Sequence, residues 1–203
     1  CNGPVGYQST KDNCADLTGW DLLDKVSDKN LLIKDGKGIY GIPYAIEGYG
    51  IIYNDAVMKK YFALAGKKST LTKAEDIKSF ADLKTVVEDM TAHKKDLGIE
   101  GVFASTSLKS GEQWRWQTHL ADIPFYYEFK ENTKYSDTVT AGLNTDKATF
   151  KYGDNFKNIF DLYIKNSCTD AKLLGSKSVD DSMAEFALGK AAMVQNGNWA
   201  WAQ

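Results

Sequence analysis

Between residues 79 and 97 apolar residues recur every three to four positions (Leu83, Val86, Val87, Met90, Leu97), the period of a helix with one buried face. Ser79-Phe80-Ala81-Asp82 has the form of a capping box at its start. The same period predicts a helix from Asp55, as N-cap, through Val57, Tyr61, Leu64 and Ala65 to Gly66. It predicts another from Asp154 through Phe156, Ile159, Phe160, Tyr163 and Ile164, and one over Ser178 to Leu188 that Gly189 stops. Ser178-x-x-Asp181 and Ser182-x-x-Glu185 both read as box-like starts. Strands are expected at Ile39 to Tyr44, at Ala45 to Asn54, at Gly101 to Ser105 and at Ala191 to Val194. Asp35-Gly36-Lys37-Gly38 and Asn196-Gly197 read as turns, and Gly-rich residues 2–8 with Pro4 read as a loop. Residues 21–30 are weakly helical, Ser110 opens a helix that continues to Ala121, and residues 130–151 form an irregular excursion or hairpin. Helices and short apolar strands in alternation give the α/β class.

Some residues do not fit a purely structural role. Trp199 follows directly on a turn at a strand end, where α/β proteins place ligand-contacting groups. An indole there offers a flat apolar face to a ring-shaped ligand. Trp201, two residues on, reads as core. Glu47 lies between two apolar strand segments, where a carboxylate is costly unless exposed or paired. A cleft-facing Glu47 accepting from ligand hydroxyls satisfies that condition, and so does a strand-end Glu47 in solvent. Glu112 and Arg115 are three apart and read as a surface ion pair, with Arg115 lying on an indole as an addition. His93 reads as exposed and without a role.

The composition narrows the choice. The chain has 203 residues and a formal net charge of −2, with lysines mixed among the acids, so it carries no electrostatic footprint for nucleic acid. Eleven tyrosines and five tryptophans suit either an aromatic core or a surface for amphipathic ligands. No apolar run approaches the roughly 20 residues that span a bilayer. No signal-peptide pattern opens the chain. Cys1, Cys14 and Cys168 form no C-x-x-C pair, which argues against a zinc or thioredoxin-type site, and the odd count implies a free thiol or an intermolecular bond. The Gly-rich loop matches neither phosphate-binding pattern. No cofactor or metal is expected.

Two segments carry a family resemblance. Gly189-Lys190-Ala191-Ala192-Met193-Val194-Gln195-Asn196-Gly197-Asn198-Trp199-Ala200-Trp201 resembles a segment of the C-lobe of extracellular solute-binding proteins of bacterial ABC sugar importers, the maltodextrin-binding-protein type. Gly38-Ile39-Tyr40-Gly41-Ile42-Pro43-Tyr44-Ala45-Ile46-Glu47, continuing to Tyr53-Asn54, resembles the strand that enters the family's first inter-lobe crossing. The resemblance implies a periplasmic-binding-protein type II fold. Residues 1–46 would be the C-terminal part of the N-lobe and 47–203 most of the C-lobe, with the hinge crossing near 46–49. It implies a sugar or oligosaccharide ligand bound in an inter-lobe cleft, hinge closure, delivery to ABC permease subunits, no catalysis, and an extracellular, cell-surface or periplasmic location with a lipid-anchored parent. By the same resemblance Trp114 enters the cleft from a helix start, with Gln113 beside it and helix N–H groups free for hydroxyls. Asn2 presents a polar side chain to sugar hydroxyls, and Tyr7 lies on the same loop. Trp199 and Trp114 would stack, and Glu47 and Asn2 would bond hydroxyls.

Members of this family are substantially longer, so the chain is either a fragment or completed by strands from another chain. Gram-positive members commonly begin at a lipidated cysteine, but Cys1 sits in what resembles an internal segment. Two rival functions stand beside the binding role. A glycosidase would need a carboxylate pair, for which Glu47 and Glu112 are the candidates. A ligand-sensing module on the same fold would need no permease.

Overall fold

The computed structural model describes residues 3–105 and 107–202. In chain order its helices are α1 (Gly3–Thr10), α2 (Asp55–Phe62), α3 (Phe80–Ala92), α4 (Lys94–Leu97), α5 (Asp122–Lys130), α6 (Thr138–Leu143), α7 (Gly153–Lys165) and α8 (Val179–Ala187). Its strands are β1 (Ile33–Asp35), β2 (Gly38–Gly41), β3 (Tyr49–Tyr53), β4 (Gly101–Phe103) and β5 (Ala191–Gly197). The chain divides into two compact units. One comprises the residues up to Glu47 with Asn132–Thr145, the other Gly48–Glu131 with the residues from Asp146 onward.

In the first unit, β1 and β2 form an antiparallel hairpin around the expected turn, with Gly36 at φ +58°. The strand stops at Gly41, two residues before Pro43, which has no N–H to donate to a ladder. The Gly-rich opening forms α1 rather than a loop. Pro4 falls in its first turn, where a missing N–H costs nothing, and the Ser9 and Thr10 hydroxyls donate back to the Gly6 carbonyl. Residues 21–30 form short 3₁₀ turns rather than a helix. Within 130–151, α6 is a defined helix that Asp137 caps through the Thr140 N–H.

The second unit is built on a three-stranded sheet in the order β3-β5-β4, antiparallel between β3 and β5 and parallel between β4 and β5. Ala191 to Val194 of β5 are all buried. They pack on one side against Met58, Tyr61, Val86, Val87, Met90, Phe103 and Tyr163, and on the other against Met183, Ala104 and Ala200. Both faces being covered explains why this strand reads as a continuous apolar run and not as an alternation. Each fully buried aliphatic side chain here is worth about 1.5–3 kcal/mol. The capping boxes form as expected at Ser79/Asp82 on α3 and at Ser178/Asp181 on α8. The cap of α2 is Asn54, not Asp55, because the Asn54 carboxamide oxygen reaches both the Ala56 and Val57 N–H groups. The α7 helix starts at Gly153, without a side-chain cap from Asp154.

Three further expectations change. β5 runs through Asn196-Gly197, which pair with Gly50 and Tyr49 of β3 instead of turning. Trp201 is 95% exposed and is not a core residue of this chain. Ser182 and Glu185 do not form a box; both are buried in a polar network beneath the loop that follows β4.

Candidate functional site

The end of β5 carries a cluster of aromatic rings within the second unit. Tyr49 opens β3 opposite Gly197. Its ring stacks on His119, with centroids 4.3 Å apart and planes at 14°, and its hydroxyl donates to the His119 carbonyl. His119 meets the Trp114 ring edge-on at 5.0 Å and lies 5.3 Å from Trp199. Trp114 and Trp199 are 6.1 Å apart and tilted by 39°. All four side chains are partly solvent-exposed.

The local backbone explains how distant residues meet. Arg115–Leu120 is π-helical, with the Ala121 N–H donating to the Trp116 carbonyl. Wide i→i+5 turns bring Trp114 and His119 together, where an α-helix would point them apart. Pro124, near the start of α5, has no N–H for the Leu120 carbonyl, so the α-helical ladder cannot run back into this segment. On the strand side, Gly197 makes room for Trp199. A Cβ at Gly197 would lie 2.2 Å from the Trp199 ring.

Against the Trp114 indole lies Arg115, 5% exposed. Its guanidinium sits 4.0 Å from the Trp114 ring centroid, and Nε donates to Asn196 Oδ1 at 3.2 Å. Burial lowers its pKa from the ordinary guanidinium value, against the pull of Glu112. Glu112 does not pair with Arg115 at the surface; its carboxylate accepts the N–H of Val179, at the start of α8. The expected indole contact of Arg115 is present. Lys109 N–H donates to the Lys177 carbonyl, and Ser107 Oγ bonds Ser182 Oγ at 2.8 Å, so α8 and the residues before it hold the loop that leads to Trp114. Glu185 secures the base of that loop through the Ser105 N–H at 2.7 Å. Burial alone would raise the Glu185 carboxyl, but the donors Ser105, Lys177 and Thr169 outweigh it and hold it at about 2. Burial raises the Tyr49 phenol, with Asp122 adding to the effect, and burial likewise raises the Asp122 carboxyl against the opposing charge of His119.

Of the residues picked out from sequence, Trp199 and Trp114 fall together here, and Gln113 directly precedes Trp114. The Gln113 Oε1 is buried and has no hydrogen-bond partner among the described residues. Glu47 is exposed, at the end of the first unit. Tyr7 is 4% exposed inside that unit, stacked on Tyr40 and donating to Asp35 Oδ2 at 3.1 Å. Burial, with Asp35 adding to it, pushes the Tyr7 phenol to about 12. Asn2, like Cys1, lies outside the described residues. Tyr49, His119 and Asn196 were not legible as site residues. The Tyr49 and His119 partnership spans 70 positions, and its only sequence signal is that both are polar aromatics beside segments already picked out. Among the described residues no group of three His, Cys, Asp or Glu side chains is placed to hold a metal.

The partly exposed indoles at the end of a buried strand offer apolar ring surface of the kind that ring-shaped ligands stack on. Residues 2–203 match the family of bacterial extracellular solute-binding proteins, and the chain belongs to it. No curated protein matches the chain. Among solved structures it is similar to the solute-binding protein RafE in complex with raffinose, at 18% identity and a TM-score of 0.63, over 98% of this chain and 47% of that one. It is similar to a chitin oligosaccharide binding protein, at 21% identity and a TM-score of 0.64, over 98% and 45%. The GacH receptor of Streptomyces glaucescens matches at 23% identity and a TM-score of 0.51, over 92% and 41%. These likenesses establish a periplasmic-binding-protein fold, and the chain spans less than half the length of each of these structures. Membership places the chain outside the cytoplasm, in an extracellular or periplasmic setting. Among the described residues no helix is long and apolar enough to cross a membrane.

Proposed function

We propose that the chain belongs to the sugar-binding component of an ABC importer, and that a sugar or oligosaccharide stacks on the shelf formed by Trp114, Trp199, His119 and Tyr49. The observation that carries this reading is the shelf itself: two half-exposed indoles 6.1 Å apart on a family member. Sugar rings present flat C–H faces that suit such indoles. RafE with raffinose and the chitin oligosaccharide binding protein support a sugar as the solute. The same proposal includes delivery to permease subunits, a lipid anchor on the parent protein, binding without turnover, and residues 1–46 and 47–203 as parts of the family's two lobes. It rests on the second unit alone; Glu47, Tyr7 and Asn2 carry none of it.

The test is calorimetric titration of the full-length protein with raffinose, chitin oligosaccharides and maltodextrins. One of them binds saturably, and Trp199→Ala weakens it by roughly thirtyfold, the 2 kcal/mol typical of a hot-spot tryptophan. Saturable binding that Trp199→Ala leaves untouched would remove the shelf from the reading. Turnover of a glycoside by the wild type would replace binding by catalysis.

A further inference from the structure

We propose that Arg115 is a positioning residue that sets the angle between the Trp114 and Trp199 indoles. Arg115 is the one arginine among 25 basic residues, and it is buried. Burying a guanidinium is costly unless its charge and its donors are met. Here the Trp114 ring meets the charge at 4.0 Å, and Asn196 Oδ1 accepts from Nε at 3.2 Å. A lysine could supply the charge to the ring but not the planar, forked donor set that engages ring and carboxamide together.

The two contacts join two elements of the chain. Trp114 precedes the π-helical segment, and Asn196 belongs to β5, three residues before Trp199. Asn196 is 1% exposed and itself held: its Oδ1 also accepts from the Gly197 N–H at 3.0 Å, and its Nδ2 donates to Met183 sulfur at 3.3 Å. Gly197 in turn lies under the Trp199 ring. Trp114, Arg115, Asn196, Gly197 and Trp199 therefore form a closed circuit, completed by the two indoles at 6.1 Å and 39°. Arg115 covers one face of Trp114. Without Arg115, the wide turn that carries Trp114 loses its side-chain link to β5, and the indole is free to tilt.

This inference rests on the shelf being the ligand site, so its test uses one readout with ligand and one without. Indoles held at a fixed angle in an asymmetric surrounding give a near-ultraviolet circular dichroism signature, which fades when a ring is free to tilt. In the full-length protein, Arg115→Met removes most of that signature while leaving the far-ultraviolet spectrum intact. It also weakens the oligosaccharide that the wild type binds best about tenfold, the scale of one lost cation–π contact and one hydrogen bond. Arg115→Lys recovers part of both. Asn196→Leu reproduces the loss of signature with Arg115 still present, and serves if Arg115→Met does not fold. Retention of the signature and the affinity by Arg115→Met, or loss of affinity with the signature unchanged, overturns the proposal. If the wild type binds no tested oligosaccharide, the ligand reading fails, and the signature alone still decides the role of Arg115.

Discussion

Replacing Gly197 by alanine puts a methyl group where the indole of Trp199 already sits. The added Cβ would lie 2.2 Å from Cη2 and Cζ3 and 2.4 Å from Cε3, against an ordinary contact of at least 3.4 Å. The ring must therefore retreat by 3.4 − 2.2 = 1.2 Å or more. Gly197 is not among the glycines with positive φ, so space and not backbone freedom is what the glycine supplies. Gly197 is held in the sheet by its pairing with Tyr49 of β3, whereas the indole is partly exposed at the free end of a side chain. Overpacking of this size costs about 1–3 kcal/mol when nothing can move. Because the ring can swing outward, most of that cost appears as displacement, and stability falls by less than about 1 kcal/mol. A ligand stacked on Trp199 loses its contacts, since a gap of 0.5–1 Å already forfeits a quarter to a half of the dispersion well. Gly197→Ala in the full-length protein is expected to weaken oligosaccharide binding roughly tenfold, about 1.4 kcal/mol, and to shift the tryptophan emission of the free protein. Thermal unfolding and a fluorescence titration read the two effects separately. Wild-type affinity with unchanged emission would show that Trp199 does not depend on Gly197 for its position.

Glu185 makes stability pH-dependent. Its folded carboxyl is held at about 2, against an ordinary 4.5, so its contribution is complete above about pH 4.5 and is lost as pH falls from there toward 2. The full shift is worth about 3 kcal/mol, which residual exposure reduces to about 2; Glu185→Gln should flatten the melting temperature between pH 2 and 5. Tyr61→Phe removes the hydroxyl that donates to the buried Asp89 at 2.9 Å, and chemical denaturation should show a loss of about 1–3 kcal/mol. Ser79→Ala breaks the capping box of α3 and should cost about 1 kcal/mol in the same assay while leaving ligand affinity unchanged.

Much of the fold was legible because it depends on local chemistry. Ser79 and Ser178 lie three residues before an aspartate at the head of an apolar period, and both form the boxes expected of them. Ala191 to Val194 read as a buried strand because both faces of β5 are covered. Most of what failed was decided by tertiary contact. Asn196-Gly197 has the chemistry of a turn, but pairing with β3 and the demand for space under Trp199 keep it in the strand. Glu112 and Arg115 have helical surface spacing, yet the backbone there leads one to the start of α8 and the other beneath Trp114. The residues 2–8 stretch reads as a loop from its glycines, whereas Pro4 and the Ser9 and Thr10 hydroxyls suit the helix that forms. In the candidate site, Trp199 was picked out by position and Trp114 by resemblance. His119 and Tyr49 were not, because only the π-helical turn and the β3–β5 register bring them to the indoles.

Whether the aromatic shelf at the end of β5 is a sugar-binding surface is decided by following tryptophan fluorescence of the full-length protein during titration with raffinose, chitin oligosaccharides and maltodextrins. A saturable change is expected with at least one of them, strongly weakened in Trp114→Ala and abolished in the Trp114→Ala/Trp199→Ala double variant. Saturable binding of undiminished affinity in that double variant, measured by calorimetry, would contradict that reading.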